Sequence, residues 1–254
     1  MRVKISCFVP LALLASTSLG QNLLVNGSFE APNAGGSFTS RSGDFGPGNG
    51  WFIVGAIDHI GGFWAAADGA QSVDLNSATS GSVSQSFSTI PGRVYRIRYA
   101  ASENLFGFEA KTMVVFWNAS AIENVVIAHD PSRTTTDMKW AYRVLHTYAA
   151  GSTSTLTFTS TTGSMPGSQG NTAFYGPAID DVSVIQTGGC RGDLNNDSLV
   201  DDSDFVVFVA AYNILDCADP TMPAGCPADL NGDGFVEDAD FSIFVVAYND
   251  LVCP

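Results

Sequence analysis

The apolar positions of this chain change rhythm twice along its length. Ile5 to Ala15 is an unbroken apolar run after Arg2 and Lys4, and Ser18 and Gly20 put small residues just before Gln21. The run is too short to span a bilayer, so the pattern predicts a secretory signal over residues 1–20, cleaved before Gln21. From Gln21 to Ile185, short β-rich runs at 82–87, 94–100, 112–117, 124–128, 141–148 and 155–160 are separated by Gly, Ser, Asn and Pro. Residues alternate in 94–99, where Arg96 and Arg98 share one face. Repeated short strands at this spacing predict an antiparallel β-sandwich over 21–187. The rhythm then becomes helical: Phe205, Phe208, Val209 and Tyr212, and again Phe241, Phe244, Val245 and Tyr248, recur at i, i+3, i+4 and i+7. The fold class expected is mostly β, with a small two-helix module over 188–254.

Both helices are also apolar on the far side, at Val206, Val207, Ile243 and Val246. A helix apolar all round is normally buried. Either the module hides this surface in its own core, or the surface meets a partner or the sandwich. Thr187, Gly188 and Gly189 reach only about 10 Å when extended, so the expectation is that these four side chains pack on the sandwich unless a partner takes them.

Charge divides the chain at the same place. Residues 21–189 carry 12 acidic and 8 basic side chains, a net of −4, whereas 190–254 carry 13 and 1, a net of −12. Neither part has the basic patch that nucleic acid requires, and no later run is long enough for a membrane helix. Cysteine follows the boundary too, with Cys190, Cys217, Cys226 and Cys253 all in the acidic part. An even set in a small exported module implies disulfides; zinc is the alternative, though no histidine accompanies them.

The acidic part is a duplication. Asp193, Asn195, Asp197, Asp201 and Asp204 recur 36 residues later as Asp229, Asn231, Asp233, Glu237 and Asp240. These are places 1, 3, 5, 9 and 12 of a 12-residue calcium loop, in which Leu199 and Phe235 at place 7 offer backbone carbonyls. Ca2+ is a hard cation wanting six to eight oxygens, and alternate residues of a tight loop supply them together. Val200 and Val236 at place 8 are expected to pair the two loops through their backbones. Four cysteines allow three pairings. Antiparallel helices would bring Cys217 beside Cys226 and, by the symmetry of the repeat, Cys190 beside Cys253.

DLNGDGFVEDAD followed by an apolar helix resembles the dockerin type I repeat. The resemblance implies a calcium-dependent module that docks on a cohesin-like or cell-surface protein. The loop positions that read the partner in that family are Asp202, Ser203, Asp238 and Ala239 here, unlike the Ser-Thr pairs common there. The segments at 22–32, 50–61, 67–76, 82–100 and 176–184 resemble the choice-of-anchor C domain, itself similar to a plant cell-wall family of unassigned function. That resemblance implies a galactose-binding-like jelly roll, as in many carbohydrate-binding modules. It also makes Glu30 with Asp180 or Asp181 candidates for a structural calcium; the alternative makes them turn carboxylates.

His59, His129 and His146 are scattered, and no hydrolase or metalloprotease motif is present. Asp58 and His59 are neighbours in a strand and point to opposite faces, so the chain reads as non-enzymatic. Trp51, Trp64, Trp117, Trp140 and Tyr142 are candidates to stack on sugar rings, with the alternative that they are sandwich core. The expected function is a secreted binding protein that holds extracellular polysaccharide and is anchored through its C-terminal module. A structural or adhesive protein making only protein contacts is the alternative.

Overall fold

The computed structural model describes residues 21–163, 174–195, 199–223 and 225–250. The signal at 1–20, Asp197 and Cys253 lie outside them, as does the side chain of Cys190.

Alternation decides which side of each strand is buried. In Lys111–Trp117 (β6), Met113, Val115 and Trp117 face inward, and in Thr153–Ser160 (β9), Leu156 and Phe158 do the same. The other strands are Phe38–Asp44 (β1), Phe52–Ile60 (β2), Ser72–Asp74 (β3), Ser82–Ser88 (β4), Arg93–Glu103 (β5), Ser120–Ile127 (β7), Ala141–Tyr148 (β8) and Pro177–Cys190 (β10). They form one antiparallel sheet in the order β7-β6-β9-β4-β2-β3-β10-β5-β8, with β1 added along β2.

The sheet curls at β2. Residues 52–54 pair with β4 and residues 58–60 with β3, so one strand serves both halves. Gly55 lies between them at φ +75, where a Cβ would meet the Ser80 carbonyl at 2.7 Å. Only glycine combines that backbone with so close an approach. The halves then face each other across a shared core, with Tyr99 of β5 against Phe158 of β9 at 4.9 Å and Tyr95 against Trp117 at 5.8 Å. Truncating Phe158 to alanine would cost roughly 3–5 kcal/mol, because the surrounding layers cannot collapse onto the space.

The sequence rhythm did not mark β1. Apart from Phe38 and Arg41 its residues are small and polar, and none is fully buried, so β1 is held by backbone pairing with β2 rather than by a core face.

Asp202–Tyr212 (α1) and Asp238–Asp250 (α2) follow β10. Asp201 caps α1: its side chain accepts from Ser203, while Asp204 reaches back to the Asp201 amide. Phe208 and Phe244 stack at 5.1 Å in a core completed by Val200, Ala211, Ala228 and Val236. Two expectations are corrected here. The second loop pairs with the segment after α1, through Val236 N to Leu215 O at 2.7 Å and Cys217 N to Gly234 O at 3.1 Å, so Val200 and Val236 meet as side chains in a core and not as a loop-to-loop backbone pair. Of the four outer residues expected on the sandwich, Val206 and Val246 are 68% and 66% exposed, whereas Val207 and Ile243 are half-buried. The module is held instead at Arg191, which stacks on Tyr148 at 3.8 Å and donates to the Leu230 carbonyl. No helix among the described residues is long and apolar enough to cross a membrane.

Candidate functional site

The register of β1 against β2 sets Phe38 opposite Ile60 and Ser40 opposite Asp58 on one face. Phe63 and Trp64 after β2, Ser77 and Ala78 after β3, Asn104 and Phe106 after β5, and Phe174 and Tyr175 before β10 complete a cleft of about 370 Å³. Its walls are aromatic and in mutual contact. Phe63 lies 6.0 Å from Phe38 and 5.8 Å from Phe106, which lies 5.8 Å from Tyr175. Phe38, Phe106 and Phe174 keep 49%, 46% and 40% of their surface open to solvent. The polar groups are oxygens and one amide: Ser40 donates to Asp58 at 2.6 Å, Ser77 donates to Ser40 at 2.9 Å, and Asn104 sits opposite. No lysine or arginine lines the cleft among the described residues.

Asp74 holds this cleft from behind. Fully buried, it accepts from Asn76 N at 2.8 Å, Gly176 N at 3.0 Å and Asn104 Nδ2 at 2.6 Å, tying together three of the connections that form the walls. Burial raises its pKa to about 7, against the pull of those three hydrogen bonds. At Gly176 a Cβ would come within 2.4 Å of Asp74 Oδ1, so only glycine lets the chain approach.

The tryptophans are mostly elsewhere. Trp51 and Trp117 are 1% and 4% exposed, Trp51 donating to Asn26 O and Trp117 packed between Phe87 and Tyr95. They are core, and the expectation that they stack on sugars is corrected. Trp64, 3% exposed and donating to Ser72, forms the cleft floor and offers almost no open face, so it is corrected likewise. Trp140 is half-buried against the same small cluster, with its indole on Ala65 O. His59 is fully buried, donating from Nε2 to Phe29 O and accepting from Arg41 at Nδ1. Burial lowers its pKa, which keeps it neutral and structural.

Glu30 and Asp180 clasp one turn. Glu30 accepts from Ala70 and Gln71, and Asp180 from Ala67 and Asp68, while Asp181 pairs with Arg98 at 2.7 Å. Among the described residues Glu30, Asp180 and Asp181 form no three-carboxylate cluster, and backbone amides or Arg98 are their partners.

In the C-terminal module the two loops repeat one arrangement. Asp204 Oδ1 accepts from Leu194 and Asn195, and Asp240 Oδ1 from Leu230 and Asn231. Asp204 and Asp240 are fully buried and Asp193 nearly so. Asp229 accepts from Gly232, Asp233 and Gly234, and Asp233 accepts from Asn231 and Phe235. Asp201 and Glu237 stand at the helix entries, and Leu199 and Phe235 at place 7 are exposed. The donor set is therefore all oxygen, which suits a hard cation such as Ca2+. Cys217 and Cys226 are joined, with 5.5 Å between their Cα atoms. That bond consumes the thiolates that lie beside Asp229 and leaves no soft-metal site there.

The aromatic cleft residues went unmarked in the sequence. One signal was present: Phe63, Phe106, Phe174 and Tyr175 lie outside strands, three of them next to a glycine, where alternation cannot bury them.

Among known proteins, halomucin of Haloquadratum walsbyi is 30% identical over 189 residues, covering 69% of this chain but only 2% of that protein. A family 35 carbohydrate-binding module from Clostridium thermocellum superposes with a TM-score of 0.40 at 10% identity, over 54% of this chain and 92% of that one. The module TmCBM61, solved in complex with β-1,4-galactotriose, superposes at 0.39 and 14% identity, over 65% and 99%. The model of the family described as protein of unknown function DUF642 matches residues 22–185, nearly the whole of the curled sheet, and the chain belongs to that family.

Proposed function

We propose that this is an extracellular, non-catalytic binding protein that holds neutral polysaccharide in the aromatic cleft and is anchored through a calcium-dependent, dockerin-like C-terminal module. The observation that carries the reading is the cleft: open aromatic faces on Phe38, Phe106 and Phe174 around the hydrogen-bonding groups of Ser40, Asp58 and Asn104. A sugar ring presents an apolar C–H face to such rings and hydroxyls to such polar groups. A carboxylate in a cleft that no lysine or arginine lines among the described residues favours a hydroxyl-rich ligand over an anionic one.

The remaining parts of the reading rest on the sequence. The apolar segment at 5–15 acts as the export signal, the sheet is of choice-of-anchor C type, and the duplicated loops bind Ca2+ to present the helices to a cohesin-like or cell-surface protein. The two loops share a buried place-12 aspartate, the geometry from which a calcium loop closes.

The test is retention of the whole exported chain on insoluble cellulose, xylan and galactan. Wild type should be retained on at least one, and Phe106→Ala and Phe38→Ala should lower retention about tenfold, the loss of one or two stacking contacts. Equal retention of variants and wild type would remove the cleft from the function. Retention on none, with turnover of a soluble glycan, would favour an enzyme instead.

A further inference from the structure

Beyond the cleft, the same outer face of the sheet runs on across β10, β5 and β8: Asp58 pairs with Asp74, Asp74 with Ala178 and Ala178 with Ser102, which shares a side of β5 with Arg98 and Arg96. In β5, Arg96 and Arg98 point outward beside His146 and Val144 of β8, with Tyr142 and Tyr148 at the two ends of the same face. On the other flank β10 sets Ile185 beside Arg96 and Ser183 beside Arg98. The core-facing residues between them, Tyr95, Ile97 and Tyr99, are buried, so this is the outer side of the sheet. It is also open: Tyr142, Val144 and Tyr148 are 47%, 51% and 37% exposed.

We propose that this face binds a linear, carboxylate-bearing polysaccharide of the polyuronate class. Charge points to an anion. Two of the eight basic residues of 21–189, Arg96 and Arg98, stand side by side on this face, in a chain whose net charge is −14. The carboxylate on the face, Asp181, is already taken by Arg98 at 2.7 Å. Arg98 is thereby oriented, with its guanidinium plane 3.7 Å over the Tyr142 ring and the Tyr142 hydroxyl on Asp181. Arg96 has no such partner, and its Nε is buried without a hydrogen bond. Arg96 itself is half-buried, and a carboxylate is the acceptor that matches a guanidinium fork.

Shape points to a sugar chain. Tyr142 and Tyr148 are six residues apart on one strand, about 20 Å, with the arginines between them. An exposed strip with half-open rings at both ends, each carrying a guanidinium on one face, and cations in the middle suits an extended polymer carrying acid groups along its length. The acidic C-terminal module is not the occupant. It is tethered at the Tyr148 end through Arg191, and it leaves Tyr142 and Val144 open.

The experiment is affinity electrophoresis of the full chain, at fixed calcium, through gels containing polygalacturonate, neutral galactan or poly-glutamate. Polygalacturonate should retard the wild type, and the retardation should weaken as salt is raised. Arg96→Gln should bind polygalacturonate about tenfold more weakly, with melting temperature and neutral-glycan retention unchanged. Arg96→Gln indistinguishable from wild type on polygalacturonate would overturn the proposal. Equal retardation by poly-glutamate would overturn the sugar assignment, since charge alone would then suffice. Loss of neutral-glycan retention in the same variant would overturn the separateness of the two surfaces. Failure of the cleft variants on neutral glycans leaves these outcomes readable, because they concern a different ligand and different residues.

Discussion

Tyr212 donates its hydroxyl to Asp238 at 2.6 Å, joining the end of α1 to the start of α2. The repeat returns the bond: Tyr248 at the other end of α2 donates to Asp202 at the start of α1. Two crossed bonds thus lock the helices antiparallel. Their acceptors, Asp202 and Asp238, are the tenth residues of the two repeated loops.

The first prediction concerns this lock. The hydrogen bond to Asp238 raises the Tyr212 pKa, because ionisation would set two anions side by side. A spectrophotometric titration should therefore show late-ionising tyrosine that decreases in Tyr212→Phe. The variant should also lower the melting temperature of the helical module. An unchanged titration curve would mean the bond does not persist in solution.

The second prediction concerns the cation. Four carboxylates in the second loop, Asp229, Asp233, Glu237 and Asp240, repel one another unless an ion is shared. Binding energy then becomes folding energy. Helical circular dichroism of the full chain should fall on chelation with the disulfides reduced, and return with calcium. Asp240→Ala should raise the calcium needed. Identical spectra with and without chelator would exclude a calcium-dependent fold.

The third prediction concerns what holds the cleft. Asp74→Ala removes the acceptor shared by Asn76, Asn104 and Gly176 and leaves those buried donors unmet, at roughly 1–3 kcal/mol for the first of them. The expected result is a lower melting temperature together with weaker glycan retention. Phe106→Ala should weaken retention alone. If Asp74→Ala destabilises without touching retention, the walls are positioned by other contacts.

The fourth prediction is a pH dependence. Unfolded, Asp74 and Asp180 titrate near 3.8; folded, burial pushes each to about 7. Between those values the folded chain holds more protons than the unfolded one, so stability falls as pH rises through 7. The stability these two groups contribute is fully present below about 3.8 and lost above 7. The sandwich should melt at a higher temperature at pH 6 than at pH 8, and Asp74→Asn should flatten that slope. A wild-type midpoint that climbs steadily from pH 6 to 8 would contradict it.

The order of elements was legible wherever local rhythm and burial agree. Strands β4, β5, β6 and β9 alternate because one side faces the core, and the helices announce themselves through the spacing of Phe205, Phe208 and Tyr212. The duplication also located the loops and placed Cys217 beside Cys226. Strand β1 was illegible because backbone pairing with β2 holds it, and backbone hydrogen bonds are indifferent to side-chain type.

What the sequence determined by itself was periodicity, charge and repetition: a β-rich domain, a duplicated acidic module and the boundary between them. Each of these is a property of neighbours along the chain. The ligand surfaces are not. Tryptophan chemistry suits both a sugar platform and a core, and only packing sent Trp51 and Trp117 inward while leaving Phe38, Phe106 and Phe174 open. The cleft gathers residues from 38 to 175, and Glu30 and Asp180 meet across one turn because the sheet curls. Which side chains converge depends on strand order and register, fixed by the burial of the whole sheet together, and no local window contains that information.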